Sequence, residues 1–401
     1  MTVAQLLRRH PRHLAFGFAH FFTSAVGQTY FVGLFVAGVT AHMGWAEGTF
    51  ATLYSAATLA AAFTLPVVGA QVDRYRVRYV TTAVALTLAA ALCTLAATQQ
   101  LWLFAVALYA ARLGGQGVLP LIASTVIGRF FERGRGTALS LTSIGKSIAE
   151  VVVPPLGVYV LLAYGYPALW YGAAAWIALA FLPAVWLLVP RHDAFQRADT
   201  VVAEAADASA PTVSLTRGQA LRDRGLQLIL PVYIFTPLVI TGVVFTQGLI
   251  AEERGYTLAW MALGVSLYGL MRSVLVLVGG ALVDHFGTSA VLRLLHLPML
   301  LGIAVFALVE HRFAALAFFA LAGTTMGIES VLWPTLWAER YGPRYLGSIK
   351  SAVRVFMVVG TAVSPVLFTW GLSLSLKHVL LAGLAVGALA VALVWWSLAD
   401  R

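Results

Sequence analysis

Charge is scarce in this chain. Only 10% of its 401 residues are Asp, Glu, Lys or Arg, against roughly a quarter in a soluble domain. With 60% of residues hydrophobic, that deficit excludes a soluble globular protein and points to a membrane one. Cysteine is scarcer still. Cys93 is the only one, which excludes an intramolecular disulfide, and its apolar setting predicts a buried structural thiol. The short motifs of catalysis are missing too: no G-x-x-x-x-G-K-[ST], H-E-x-x-H, C-x-x-C or G-x-S-x-G, and no carboxylates or histidines at metal-site spacing. These absences argue against ATP hydrolysis and against an enzyme, and no cofactor or metal is expected.

Long polar loops are also rare. Thr98-Gln99-Gln100 and Tyr164-Gly165-Tyr166-Pro167 hardly leave the membrane, so successive helices should be antiparallel neighbours. The exception runs from Arg191 to Arg224, an Ala- and Asp-rich stretch low in aromatics that reads as a linker. Its end, from Ser214 or Thr216 to Arg224, is expected to form a short surface helix.

What remains is apolar. A spanning helix needs roughly 20 mostly apolar residues. Twelve such stretches centre near residues 27, 60, 88, 114, 150, 178, 239, 269, 300, 324, 361 and 388. They predict an all-α integral membrane protein with two pseudo-symmetric six-helix bundles, 1–190 and 227–401, joined by a cytoplasmic linker at 191–226. The first stretch, about 14–39, is too long for a cleavable signal and reads as a retained helix.

The net charge of +10 does not signal nucleic acid, because of where it lies. With the N-terminus inside, eighteen basic residues from Arg8 to Lys350 fall on inner segments. Only Arg254, Arg312 and Lys377 fall on outer loops. That bias predicts a multi-pass protein of the cell's inner (plasma) membrane with both termini cytoplasmic.

One short sequence occurs twice. Gly69-Ala70-Gln71-Val72-Asp73-Arg74 returns 211 residues later as Gly280-Ala281-Leu282-Val283-Asp284-His285, each copy following an apolar span. Such a repeat implies duplicated halves, a common transporter design with the substrate site near the bilayer midplane. Two six-helix halves, a long central loop and a G-x-x-x-D-R loop after the second span resemble the major facilitator superfamily over essentially the whole chain. The family's motif, G-x-L-x-D-R-x-G-R-[KR], is matched at Gly69, Asp73, Arg74 and Arg78, with Gln71 for the leucine and Arg76 for the second glycine. The second copy keeps Gly280, Leu282, Asp284 and Gly287. The resemblance implies a secondary transporter working by rocker-switch alternating access, with these loops as its gates. A carboxylate at a helix C-terminus faces the negative end of the dipole, so Asp73 and Asp284 need cations. Arg129, Arg133 and Arg135 are candidates for the first, Arg340 and Arg344 for the second. The other reading is that the arginines only set topology.

Six ionisable residues fall inside spans: Arg112, Lys146, Arg272 and Arg354, against Glu150 and Glu329. Each costs at least ~2.5–3.5 kcal/mol at the bilayer centre, so each should face a cavity or a partner. The excess is positive, which favours an anionic solute over a cationic drug. Arg112, in Arg112-Leu113-Gly114-Gly115-Gln116-Gly117, is similar to the family's fourth-span R-x-x-x-G-x-G with one glycine displaced, which implies coupling or gating. Tyr109, Arg112, Gln116 and Pro120 would share its helical face. The alternative is an arginine tied to carbonyls or to Glu150. In the fifth span Ser143, Lys146, Ser147, Glu150 and Pro154 form a stripe in which Lys146 and Glu150, one turn apart, pair for structure, or Glu150 carries protons. The antiporter motif of that span is met only at Pro154 and Gly157, which weakens a drug or metabolite efflux antiporter, the alternative function.

Arg272 looks like the eighth-span carboxylate anchor of oxalate/formate exchangers and monocarboxylate transporters. Arg354 stands where those exchangers have a lysine, and it reads either as a second anchor or as a snorkelling residue. Glu329 would pair with Arg272 or Arg354 until substrate displaces it, or serve as a structural ion pair. Gln28 and Tyr30 are candidate hydrogen-bonding helpers, with Ser24, Gln28, Phe31 and Phe35 along one face. His20 and His296 read as lone structural histidines near membrane boundaries. The expected function is thus proton symport or exchange of a small organic anion such as a monocarboxylate by a monomer in the lipid bilayer. A non-transporting sensor is the rival class, and it would need a signalling tail where the sequence ends at Arg401.

Overall fold

The computed structural model describes residues 3–131, 135–189, 217–341 and 346–399, and nearly all of them are helical. In lipid every backbone N–H and C=O must be satisfied within the protein, so long apolar stretches have little choice but the helix. Eleven helices are long and apolar enough to cross a membrane. A twelfth crossing is the bent pair Pro11–Gly27 and Thr29–Met43, which meet at 41°. We number these crossings as spans. Spans 2 to 6 are Glu47–Arg74, Val77–Ala97, Leu101–Ile127, Arg135–Tyr164 and Tyr166–Leu188. Spans 7 to 12 are Arg224–Phe245, Leu258–Phe286, Thr288–Leu308, Phe313–Tyr341, Leu346–Leu372 and Leu376–Ala399.

The contacts separate two compact units, Met1–Trp45 with Ala56–Ala210, and Pro211–Arg401 with Ala46–Ser55. In the first unit, Phe35 stacks on the enclosed Trp170 at 3.8 Å and spans 1 and 5 pack side by side. Gly145 makes that contact close, since its Cα faces the Phe18 carbonyl. In the second unit the closest pair is spans 8 and 10. A Cβ on Gly323 would lie 2.5 Å from the Tyr268 carbonyl oxygen, and one on Gly327 2.7 Å from that of Arg272. Gly323 and Gly327 are one turn apart, the small-residue spacing that lets backbones touch.

The duplication is written in the backbone as well as in the sequence. Span 1 is irregular at Phe35 (φ −94°, ψ −13°), then runs eight residues, Val36–Met43, to a left-handed Gly44 at φ 65°. After span 7 the chain is irregular at Thr246 (φ −93°, ψ 17°), then runs eight residues, Gln247–Arg254, to a left-handed Gly255 at φ 66°. Gly255 follows Gly44 by 211 residues, the offset of the sequence repeat. A left-handed residue that ends a helix meets no Cβ penalty when it is glycine.

The end of the linker is helical at Arg217–Arg222, where a short helix was expected. Asp223 follows and caps span 7, accepting from the amides of Gly225 (3.3 Å) and Leu226 (3.2 Å). The same carboxylate accepts from Arg340 Nε at 3.0 Å and from the Tyr341 hydroxyl at 2.8 Å. Arg340, a candidate cation for Asp284, thus serves Asp223, and the Asp284 side chain lies outside the described residues. Burial acts to raise the Asp223 carboxyl, but Tyr341, Arg340 and the Gly225 amide outweigh it and hold it below the usual carboxylate range. A depressed carboxylate contributes stability that is present above its unfolded-state pKa of about 3.9 and lost as pH falls through the lower folded value. Melting curves of the native protein are thus expected to drop more steeply below about pH 4 than those of Asp223→Asn. Parallel curves would remove this contribution.

Cys93 differs from expectation: it is exposed on span 3 rather than buried. A thiol is apolar enough to face lipid, so an apolar run does not fix which side it takes.

Candidate functional site

Span 1 breaks where the first unit gathers its polar groups. Ser24–Gly27 tightens to a 3₁₀ turn and Gln28 is extended (φ −82°, ψ 156°) before helix resumes at Thr29. A break of this kind frees backbone carbonyls, which need new donors. Arg112 supplies one: its Nη1 donates to the Gly27 carbonyl at 2.6 Å and its Nε to Thr58 Oγ1 at 3.0 Å. The residue is only 1% exposed. One guanidinium thus ties spans 1, 2 and 4. Arg112 begins a stretch of π-helix, Arg112–Val118, a rare wide turn that recurs at functional sites. It brings Gly115 against Gly27 so closely that a Cβ on Gly27 would sit 2.7 Å from the Gly115 Cα.

The expected faces shift accordingly. Gln28 and Tyr30 are both buried, at 8% and 7% exposure, but the break interrupts the single face predicted for Ser24, Gln28, Phe31 and Phe35. The π-turn likewise breaks the four-residue spacing of Tyr109, Arg112, Gln116 and Pro120; Tyr109 itself donates to Thr64 at 3.0 Å. On span 5, Glu150 is buried and Lys146 half-buried. His20 is satisfied at both ring nitrogens, by the Phe16 carbonyl (2.8 Å) and Thr81 (3.1 Å).

The second unit holds a different cluster. Glu329 on span 10 lies 3.0 Å, Oε1 to Nε2, from His296 on span 9, with side chains 3% and 1% exposed. Glu329 was expected to pair with Arg272 or Arg354 or to join a structural ion pair, and His296 to stand alone; the two meet. The approach is close enough for an ion pair, yet out of line for a hydrogen bond. From Glu329 a ladder climbs span 10 one turn at a time: Trp333 and Trp337 stack at 5.6 Å, and Trp337 and Tyr341 at 6.1 Å. Tyr233 of span 7 meets both tryptophans edge-on, and its hydroxyl feels the charges of Arg354 and Glu329. Arg354 is exposed on span 11, and Arg272 is half-buried on span 8 beside Gly327.

Of the loop residues, Gly69 lies against Leu121 of span 4, whereas Gly280 has open space around it. Arg78 stacks 3.5 Å over the Trp186 ring within its own unit. The side chains of Asp73, Arg74 and Asp284 lie outside the described residues, as do those of Arg129, Arg133, Arg135, Arg344 and Lys350. No group of three His, Cys, Asp or Glu stands together among the described residues.

A family model described as Major Facilitator Superfamily matches residues 16–365, and the chain belongs to that family. It is therefore a membrane transporter rather than an enzyme. Solved structures agree on the fold. A bacterial homolog of the human lysosomal transporter Spinster, inward-facing and unoccupied, has a TM-score of 0.71 at 12% identity, over 98% of this chain and 99% of that one. The nucleoside transporter NupG has a TM-score of 0.73 at 13% identity, over 97% and 98%. No curated protein sequence matches.

Proposed function

We propose that the chain moves a small organic anion, a monocarboxylate in size and charge, by proton symport or anion exchange with rocker-switch alternating access. The observation that carries this reading is the placement of Glu329. Its carboxylate lies 3.0 Å from His296. Within their membrane-spanning parts, spans 7 to 12 thus set two guanidinium groups, Arg272 and Arg354, against one carboxylate. A guanidinium binds a carboxylate through two parallel N–H···O bonds, so Arg272 is the anchor and Arg354 its second. Gln28 and Tyr30 are the hydrogen-bonding helpers. Arg112, Lys146, Glu150 and Glu329 form the coupling machinery. The loops at Gly69, Asp73, Arg74 and Arg78 and at Gly280 and Asp284 act as gates. The excess of basic residues on alternate loops supports both termini in the cytoplasm, with the protein in the plasma membrane.

A thermal-shift screen of the purified protein against small carboxylates, inorganic anions and lipophilic cations tests the reading. A ligand at 100 times its dissociation constant adds ~2.7 kcal/mol of stability. A carboxylate is expected to raise the melting temperature and a cation to leave it unmoved. A response to cations alone transfers the assignment to drug or metabolite efflux.

A further inference from the structure

We infer that the start of span 3 binds the phosphate of an anionic phospholipid headgroup. The inference goes beyond the transport reading and holds whichever solute is moved. Span 3 begins against its own dipole. The N-terminal end of a helix carries partial positive charge and favours acids or bound anions. Yet Val77–Ala97 has no acidic residue in its first turn, and its N-cap, Arg76, makes no side-chain capping bond. Arg78 follows as the second helical residue. The loop's one carboxylate, Asp73, stands near the end of span 2, and its side chain lies outside the described residues. The second unit meets the same need from within. Span 9 opens at Thr288, whose hydroxyl donates to the Glu339 carboxylate at 2.6 Å. At the 211-residue offset, the first half has Val77 for Thr288, Gly128 for Glu339 and Arg78 for Ser289. Neither member of that pair is present, and a cation stands where the dipole favours an anion. An anion from outside the chain restores the balance.

The side chains are arranged to hold one. The Arg78 guanidinium lies over the Trp186 ring of span 6, 3.5 Å from its centroid. The indole is fixed in turn: its N–H donates to Thr82 Oγ1 at 3.0 Å, and that hydroxyl donates to the Arg78 carbonyl at 2.8 Å. Arg78 Nε makes no hydrogen bond among the described residues. A guanidinium placed by stacking keeps its charge and its rigid fork for phosphate, which it can grip at two points. The setting selects a lipid phosphate. Tyr75, Tyr79 and Trp186 are all exposed, and rings with a polar tip suit the boundary between membrane and water. Leu86, about two turns further along span 3, and Leu187, next to Trp186, are exposed too. They give acyl chains an apolar wall beneath a headgroup, which a soluble anion would not use.

Native mass spectrometry of the delipidated full chain, titrated with phosphatidylglycerol, phosphatidylcholine and inorganic phosphate, tests the site. The native protein is expected to bind phosphatidylglycerol about tenfold more tightly than phosphatidylcholine. Inorganic phosphate at the same concentration should not displace the lipid. Arg78→Ser, which installs the residue of the second half, should remove the preference, and Arg78→Lys should keep part of it. A preference that survives Arg78→Ser overturns the inference. Equal binding of the two lipids by the native protein does so as well, and that comparison needs no variant to fold. Inorganic phosphate that displaces phosphatidylglycerol assigns the site to a soluble anion and overturns the lipid as its occupant.

Discussion

Arg112→Gln is expected to melt well below the native protein and to transport nothing. The reason lies in the broken first span. Gln28 is extended, so the Gly27 carbonyl turns to the Arg112 Nη1 at 2.6 Å, and the same guanidinium holds Thr58. Hydrogen bonds from charged groups contribute ~1.5–3 kcal/mol each, and a buried carbonyl left unpaired costs about 1–3 kcal/mol. A glutamine is too short to reach both acceptors. Lysine keeps the charge but offers no rigid fork, so Arg112→Lys should fall between the two. Melting temperature and uptake into vesicles, measured on all three proteins, check the order. Native-like melting of Arg112→Gln would mean that the break in span 1 is held by something else.

Arg272→Ala is expected to abolish anion transport in a protein that stays folded. The internal repeat explains why the fold tolerates it. At the 211-residue offset, the counterpart of Arg272 in span 2 is Ala61, so the same helix position is already alanine in the first half. The repeated frame therefore does not itself require a guanidinium at this helix position. Arg272→Lys should retain binding weakened about tenfold or more, since one ammonium replaces a two-point contact. Unchanged uptake by Arg272→Ala removes the anchor; a lost melting transition instead makes Arg272 structural.

The sequence disclosed the spans, the linker and the repeat because those depend on hydropathy and short identities. It concealed the break at Gln28, since an apolar run looks the same whether its helix is continuous or bent. Gly27 was the sole local sign, and its meaning depends on Gly115 in another span. The His296–Glu329 meeting was hidden for the same reason: hydropathy assigns residues to spans but not spans to neighbours. The ladder above Glu329 was readable. Glu329, Trp333, Trp337 and Tyr341 recur every fourth residue, and four large or charged side chains on one helical face announce a packed seam. The Arg340 contact with Asp223 was not foreseen, because the loop repeat pointed to Asp284 by symmetry and Asp223 lies outside the repeat.

The matching eight-residue endings at Val36–Met43 and Gln247–Arg254 also date the parts of this molecule. Shared irregularities at Phe35 and Thr246 are most simply inherited from the ancestral half, before it was copied. The break at Gln28 has no such twin, for its counterpart Val239 lies in unbroken helix. The two halves therefore share a frame and differ in its break. Each half carries its own in-span ionisable residues on that shared frame, Arg112 and Glu150 in the first, Arg272 and Glu329 in the second.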